Sequence, residues 1–326
     1  MKDRSLSGVY APYIKQGDTK RTVMIDVVIA LIPALVWAVY MFGWRALTVT
    51  ALSVISSVLF EYLFQKILKR PVTVLDFSAV VTGMLIAFTL PVSVALWVPV
   101  IGAFVAVVIA KQTLSVIGKN IVNPVLCARV VLGLVFPDML SVYLQPLTNK
   151  LSAFSLNTAD AVSGATPLAA LKQGAAPNVG LLDLFVGNMA GCIGEVSAML
   201  LIIGGLYLLC RRVITWHIPA AYLATVALLT FLFPQAQSVQ AYEFMLTELL
   251  SGGLILGAVF IATDYTGAPV TQNGRLIYGI GCGVITVIVR YFAPLTEGVA
   301  IAILIMNILS RPIDMLTRPK PFGYTK

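Results

Sequence analysis

Uncharged apolar residues recur along this chain in runs of the length a bilayer demands of a helix, and that recurrence fixes the fold class. A span takes roughly 20 apolar residues, fewer where the helix is interrupted or tilted. Such runs extend from Val23 to Phe42, Ala46 to Phe64, Phe77 to Leu90, Ala95 to Ile109 and Ile121 to Phe136. After a polar interval they resume at Leu184 to Cys210, Val213 to Phe233, Leu249 to Thr263, Leu276 to Phe292 and Val299 to Leu309. The expectation is an all-α polytopic membrane protein with ten transmembrane helices in two five-helix halves. With 59% hydrophobic and 11% charged residues, the chain has too little polar surface to coat a soluble fold of its size.

The basic residues give this arrangement an orientation. With the N-terminus cytoplasmic, the side opposite holds only Arg45, Lys150, Lys172 and Arg290, and Arg129 lies within the membrane; every other Lys and Arg falls on the cytoplasmic side. The expected layout is a cytoplasmic segment 1–22, helices 1–5 over 23–136, an extracytoplasmic loop 137–183, helices 6–10 over 184–310, and a cytoplasmic tail 311–326. The first twenty residues lack the apolar core of a cleavable signal, so the first helix is read as the targeting element. The net charge of +8 follows this topology and comes with no nucleic-acid-binding motif.

Five helices per half means that the second half enters the membrane inverted relative to the first. The third segment of each half is short: Phe77 to Leu90 closes on Pro91, and Leu249 to Thr263 ends in Asp264-Tyr265-Thr266-Gly267-Ala268-Pro269. Paired interruptions of this kind surround central binding sites in transporters, although two short tilted helices with ordinary turns fit the same pattern.

Ionisable residues at membrane depth are costly, which makes them functional candidates. Glu195, read inside the sixth helix, and Arg129, near the middle of the fifth, are expected to pair, either as a structural ion pair or facing a cofactor or ion path. Asp76, Glu61, Glu248 and Asp264 fall nearer helix ends. Cys127, Cys192, Cys210 and Cys282 have no metal or disulfide spacing and read as small buried hydrophobes, with a cluster shared with a partner protein left open. His217 beside Trp216 reads as interfacial. No dinucleotide fingerprint or phosphate-binding glycine loop occurs, so no Rossmann-type NADH site is expected in this chain.

The polar interval contains Asp160-Ala161-Val162-Ser163-Gly164-Ala165-Thr166-Pro167-Leu168. Thr166 before Pro167 suits the N-cap and first position of a helix running to Lys172. An anion on that hydroxyl would meet free N–H groups and the positive end of the dipole. On these residues alone, an ordinary helix cap is an equal reading.

The same residues resemble the attachment motif of proteins that carry FMN through a phosphoester to a threonine. The resemblance implies Thr166 as the acceptor, with Asp160, Ser163, Gly164 and Ala165 completing the motif that a flavin transferase reads. Ala169 departs from it, since Ser or Thr often stands there. Further elements are Asp76 before Ser78-Ala79-Val80-Val81-Thr82-Gly83, Asn123-Pro124, Gly187-Asn188-Met189-Ala190-Gly191 leading to Gly194-Glu195, and Phe260 to Asp264 followed by Pro269-Val270-Thr271. Together they resemble the RnfD/NqrB family, the flavin-bearing membrane components of the Rnf complex and of the sodium-pumping NADH:quinone oxidoreductase.

The short N-terminal segment favours the Rnf side, since the quinone-reducing relative usually carries a longer extension. The resemblance implies a membrane component of a ferredoxin:NAD⁺ oxidoreductase coupled to Na⁺ or H⁺ export in a prokaryotic inner membrane. It further implies covalent FMN on Thr166, a second noncovalent flavin (riboflavin or FMN) with Asn123 and Arg129 nearby, and Glu195, Asp264 and Asp76 along an ion pathway. The implied partners are a second flavin-carrying subunit, iron-sulfur subunits, membrane lipid and, during maturation, a flavin transferase. A flavin-free transporter or channel is the competing reading.

Overall fold

The computed structural model describes residues 19–113, 122–147, 164–177, 179–195, 197–236, 239–264, 267–293 and 298–318. Of the motif residues, Asp160 and Ser163 lie outside this set. Among the described residues the chain is helical, with one isolated antiparallel bridge between Pro91 and Cys192.

Two long helices open the chain, α1 (Lys20–Phe42) and α2 (Trp44–Ile67), separated by Gly43 at φ 84°, a conformation glycine adopts without a Cβ penalty. The short α3 (Ser78–Phe88), α4 (Trp97–Thr113, closing with a π-helical stretch) and α5 (Pro124–Val135) follow. Next come three short helices, α6 (Pro137–Leu140), α7 (Pro167–Lys172) and α8 (Leu181–Val186). The second half holds α9 (Ala198–Cys210), α10 (His217–Leu232), α11 (Ala241–Leu250), α12 (Leu254–Ile261), α13 (Gln272–Phe292) and α14 (Val299–Thr317).

Helices α1, α2, α13 and α14 are long and apolar enough to cross a membrane, and the α11/α12 pair, bent by 59°, makes a fifth such element. The apolar helices α3, α4, α5, α9 and α10 are shorter. Each predicted run overlaps one of these elements.

Two runs differ from expectation. Leu184 to Cys210 is not one helix: it breaks after Val186 and resumes at Ala198, so Glu195 lies in an interruption rather than inside a helix. The cause is local. Gly187 sits at φ 106°, and the backbone beyond it leaves the helical ladder to pair with the end of α3, the N–H of Ile193 donating to the Leu90 carbonyl (3.0 Å) and that of Gly194 to the Phe88 carbonyl (2.9 Å). A Cβ on Gly194 would stand 2.5 Å from that of Phe88, so only glycine permits the approach. The segment Leu249 to Thr263 ends before Asp264 as expected, with α12 stopping at Ile261, but it is also broken inside, at Ser251-Gly252-Gly253, where both glycines are left-handed (φ 71° and 63°).

Helix α2 is inside-out. On α2 the buried face carries Arg45, Thr50, Ser53, Ser56, Ser57, Glu61 and Gln65, while Ile55, Leu59 and Leu63 are exposed. In lipid the apolar effect no longer drives helices together, so small residues and hydrogen bonds do. Gly83 of α3 lies against α2 so closely that a Cβ would fall 2.6 Å from the Val54 Cα, and Ser53 donates to the Gly83 carbonyl (2.8 Å). Gly279 and Gly283 of α13 admit α10 in the same way, and Tyr222 and Thr286 share a hydrogen bond across that contact.

Candidate functional site

Thr166 is the N-cap of α7. Its backbone is extended (φ −66°, ψ 149°), its Oγ1 accepts from the Ala169 N–H (3.2 Å), and Pro167 holds the first helical position. Leu168 and Leu171 bury the other face of α7, the latter against Ala236 and Phe244, and Lys172 donates to the Ala293 carbonyl, which fixes the short helix to the bundle. Thr166 is only 7% exposed and lines a cavity of about 400 Å³ shared with Arg129 and Gly133 of α5, Tyr143, and Ala300 of α14. A Cβ on Gly133 would meet nothing within 4 Å. Gly164 donates its N–H to the Tyr143 carbonyl (3.0 Å), which sets the approach of the motif to the cavity, and Ala165 is exposed.

Arg129 also reaches a much smaller cavity, about 30 Å³, whose walls include Glu195, Cys192, Phe88 and Gly252. The two intramembrane candidates therefore share a cavity wall, with Arg129 between Thr166 and Glu195. The Glu195 carboxylate accepts from the Cys192 N–H (3.2 Å) and from the Gly252 N–H. Three interruptions converge there: the end of α3, the stretch between α8 and α9, and the α11/α12 bend. From the other side, the bend is held by Arg290, which pairs with Glu248 at 2.6 Å and donates to the Ser251 carbonyl at 3.1 Å, both side chains being buried.

The remaining candidates gather at the opposite end of the bundle, where α1 begins. A cavity of about 160 Å³ lies between the halves, lined by Lys20, Ser78, Lys111, Asn123, Phe260 and Asp264, among others. Asn123 caps α5 through Oδ1, which accepts from the Val125 N–H (3.0 Å), while its Nδ2 donates to Asp264 (3.3 Å) and to the Ile261 carbonyl (3.4 Å). Asp76 pairs with Lys20 at 3.2 Å. Asn123 and Arg129, expected from the resemblance to lie near one flavin, thus line different cavities.

The chain matches the model of the NQR2, RnfD, RnfE family over residues 9–323. It belongs to that family. The D subunit of the Na⁺-translocating ferredoxin:NAD⁺ oxidoreductase complex of Acetobacterium woodii is 43% identical, with 100% of this chain and 98% of the relative covered. The D subunit of the proton-translocating ferredoxin:NAD⁺ oxidoreductase complex of Clostridium ljungdahlii is 35% identical (96% and 95% covered), and that of an ion-translocating oxidoreductase complex of Stutzerimonas stutzeri is 37% identical (92% and 91%). With family membership the chain is a multi-pass membrane protein.

Several buried polar contacts of this family member went unread in the sequence. Glu61 of α2 receives Lys111 of α4 at 2.9 Å, and Lys111 also donates to Ser78 (2.8 Å). Asp26 of α1 accepts from Tyr207 (2.9 Å) and pairs with Arg211 (3.2 Å). Arg45, read as a loop charge, is 2% exposed and donates to the carbonyls of Val92 (3.1 Å) and Val94 (2.9 Å). Lone charges at the edges of apolar runs were the available signal, but their partners are remote in sequence.

Proposed function

We propose that this chain is the RnfD-type membrane component of an ion-translocating ferredoxin:NAD⁺ oxidoreductase complex and that it carries FMN as a phosphoester on Thr166. The carrying observation is the Thr166 cavity: a capped threonine hydroxyl at the wall of a 400 Å³ space that also presents the Arg129 guanidinium. These residues fit the group. Arg129 supplies a permanent positive charge toward a phosphate diester, Gly133 leaves room where a side chain would intrude, and Tyr143 with Ala300 offers a partly apolar wall for a ring system. When bound, the flavin supplies one- and two-electron redox chemistry; the protein supplies tethering, orientation and electrostatics.

The second, noncovalent flavin is assigned to the cavity at the other end, whose polar wall includes Asn123, Lys20 and Lys111, each held in place by a protein partner. The proposed topology has ten spans as an inverted repeat, both termini cytoplasmic and Thr166 outside. The interruptions at α3 and at α11/α12, one in each half, support it. Glu195 ties the α11/α12 bend to the stretch between α8 and α9, whose backbone pairs with the end of α3, so we assign it to the element that couples redox state to ion movement, with Asp264 and Asp76 at the cytoplasmic end of the path. Other membrane, flavin-carrying and iron-sulfur subunits deliver and accept the electrons, since this chain has no Rossmann-type motif or cysteine cluster spacing of its own.

The test is in-gel flavin fluorescence and intact mass of the denatured chain, produced with an active flavin transferase, for wild type and Thr166→Ala. FMN mass on wild type alone supports the assignment. Flavin on neither chain, with a control substrate labelled, overturns it and brings the flavin-free transporter forward.

A further inference from the structure

Helix α9 ends in a Schellman motif: the Val213 N–H donates to the Leu208 carbonyl (2.9 Å) and the Arg212 N–H to the Leu209 carbonyl (3.0 Å). The residue that must turn left-handed there is Arg212 (φ 57°), at a position where glycine is the usual and least strained choice. Helix α7 ends in the same pattern with a glycine, Gly174 at φ 74°. The Arg212 side chain is exposed and, among the described residues, has no hydrogen-bond or ion-pair partner, whereas its neighbour Arg211 is engaged by Asp26. A cation at a helix C-terminus gains from the dipole, yet that gain is available to an arginine at less strained positions of the last turn.

On either side of this turn, Leu209 and Ile214 enter the wall of a groove of about 300 Å³ between α9, α10 and the α11/α12 bend. Every residue lining it is apolar, Leu206, Leu223, Ile255 and Val259 among them. Leu206 is 54% exposed, so the groove opens on the outer surface, and Trp216, 59% exposed, follows at the same end, where an interfacial aromatic is expected. An apolar channel with an unengaged arginine in the chain turn between two of its lining residues, Leu209 and Ile214, matches an amphiphile with a hydrocarbon chain and an anionic head.

We propose that this groove binds one anionic phospholipid, with an acyl chain between α9 and α10 and its phosphate at Arg212. A basic residue flanking an interhelical crevice is the chemistry by which membrane proteins select acidic headgroups. The assignment needs only the membrane setting of the family and is independent of the flavin.

The test counts lipids on the intact purified complex by native mass spectrometry, after delipidation and re-addition of phosphatidylglycerol or phosphatidylcholine. Wild type is expected to retain phosphatidylglycerol at least several-fold better. Arg212→Gly should lose that preference while, in lipid-free detergent, being at least as heat-stable as wild type because the strained turn is relieved. Arg212→Lys should keep most of it, and Leu206→Trp, which fills the groove from its exposed rim, should lose retention of both lipids. Equal retention of the two lipids by wild type, or an unchanged preference in Arg212→Gly, overturns the proposal. So does a photo-crosslinker at position 206 that captures another protein of the complex in place of lipid.

Discussion

The Glu195 carboxylate accepts the backbone N–H of Gly252, joining two chain interruptions that lie 57 residues apart in sequence. Glu195 also accepts from Cys192, inside its own interruption. A single side chain thereby satisfies donors that the broken ladders of α8/α9 and α11/α12 leave over, in surroundings where an unsatisfied N–H is expensive.

Removing those acceptors separates structure from coupling. Glu195→Ala strands both N–H groups and should lower stability by about 2 to 4 kcal/mol at ~1 to 2 kcal/mol for each, read as a lower melting temperature of the complex in detergent. Glu195→Gln keeps one carbonyl acceptor and should fold and flavinylate normally, yet support less redox-driven ion uptake in vesicles. Equal uptake by Glu195→Gln and wild type would remove Glu195 from the coupling element.

Arg290 and Glu248 pair at 2.6 Å with both side chains nearly inaccessible. Arg290→Ala should cost about 3 to 5 kcal/mol, since it leaves a buried carboxylate without its cation. Arg290→Lys should recover only part of this, because lysine cannot engage Glu248 and the Ser251 carbonyl with two separate nitrogens. Arg211→Ala, at the half-exposed pair with Asp26, should cost far less. Thermal unfolding of the three variants side by side gives the ranking.

The α2/α3 contact has no room for a side chain at position 83. Gly83→Leu should force the helices apart and lower the yield of monodisperse complex, by overpacking worth about 1 to 3 kcal/mol or more. Gly133→Leu projects into open space and should fold well while lowering covalent flavin on Thr166. Loss of folding in both, or in neither, contradicts the packing described.

Because Asn123 and Arg129 line different cavities, the proposed assignment of two flavins requires their variants to dissociate the two. Asn123→Ala should lower noncovalent flavin released by denaturation while Thr166 stays labelled, with a stability cost of ~1 kcal/mol from the lost cap. Arg129→Gln should perturb the flavin on Thr166 and spare the other. Acid extraction followed by chromatography separates the two pools.

Membrane character, the approximate places of the helices and the Thr166 cap were legible because each rests on local chemistry: apolar length, or a threonine before proline. The break before α9 was not, since apolar residues flank Gly187 and Gly194 and hydropathy registers no difference between a helix and a strand-like pairing with Leu90. The break at Gly252-Gly253 went unread because the Asp264 to Pro269 run, which follows the end of α12, is the louder polar signal. Arg129 and Glu195 stood out as charges within apolar runs, but which cavities they wall depends on α14 and the α11/α12 bend, more than a hundred residues away from Arg129. Arg45, Asp26 and Lys111 were assigned to loops or passed over because charge near a helix end looks the same whether it faces water or a partner helix.

The polar stripe on α2 also sets a timetable. Ser53 waits for the Gly83 carbonyl, made 30 residues later, and Glu61 for Lys111, made 50 residues later. As the chain emerges from the ribosome, α2 therefore reaches the membrane with a carboxylate and the Ser53 hydroxyl still awaiting their partners on α3 and α4. The polar face of α2 is complete only once α3 and α4 have been made, so for this protein the order of synthesis is part of the folding problem.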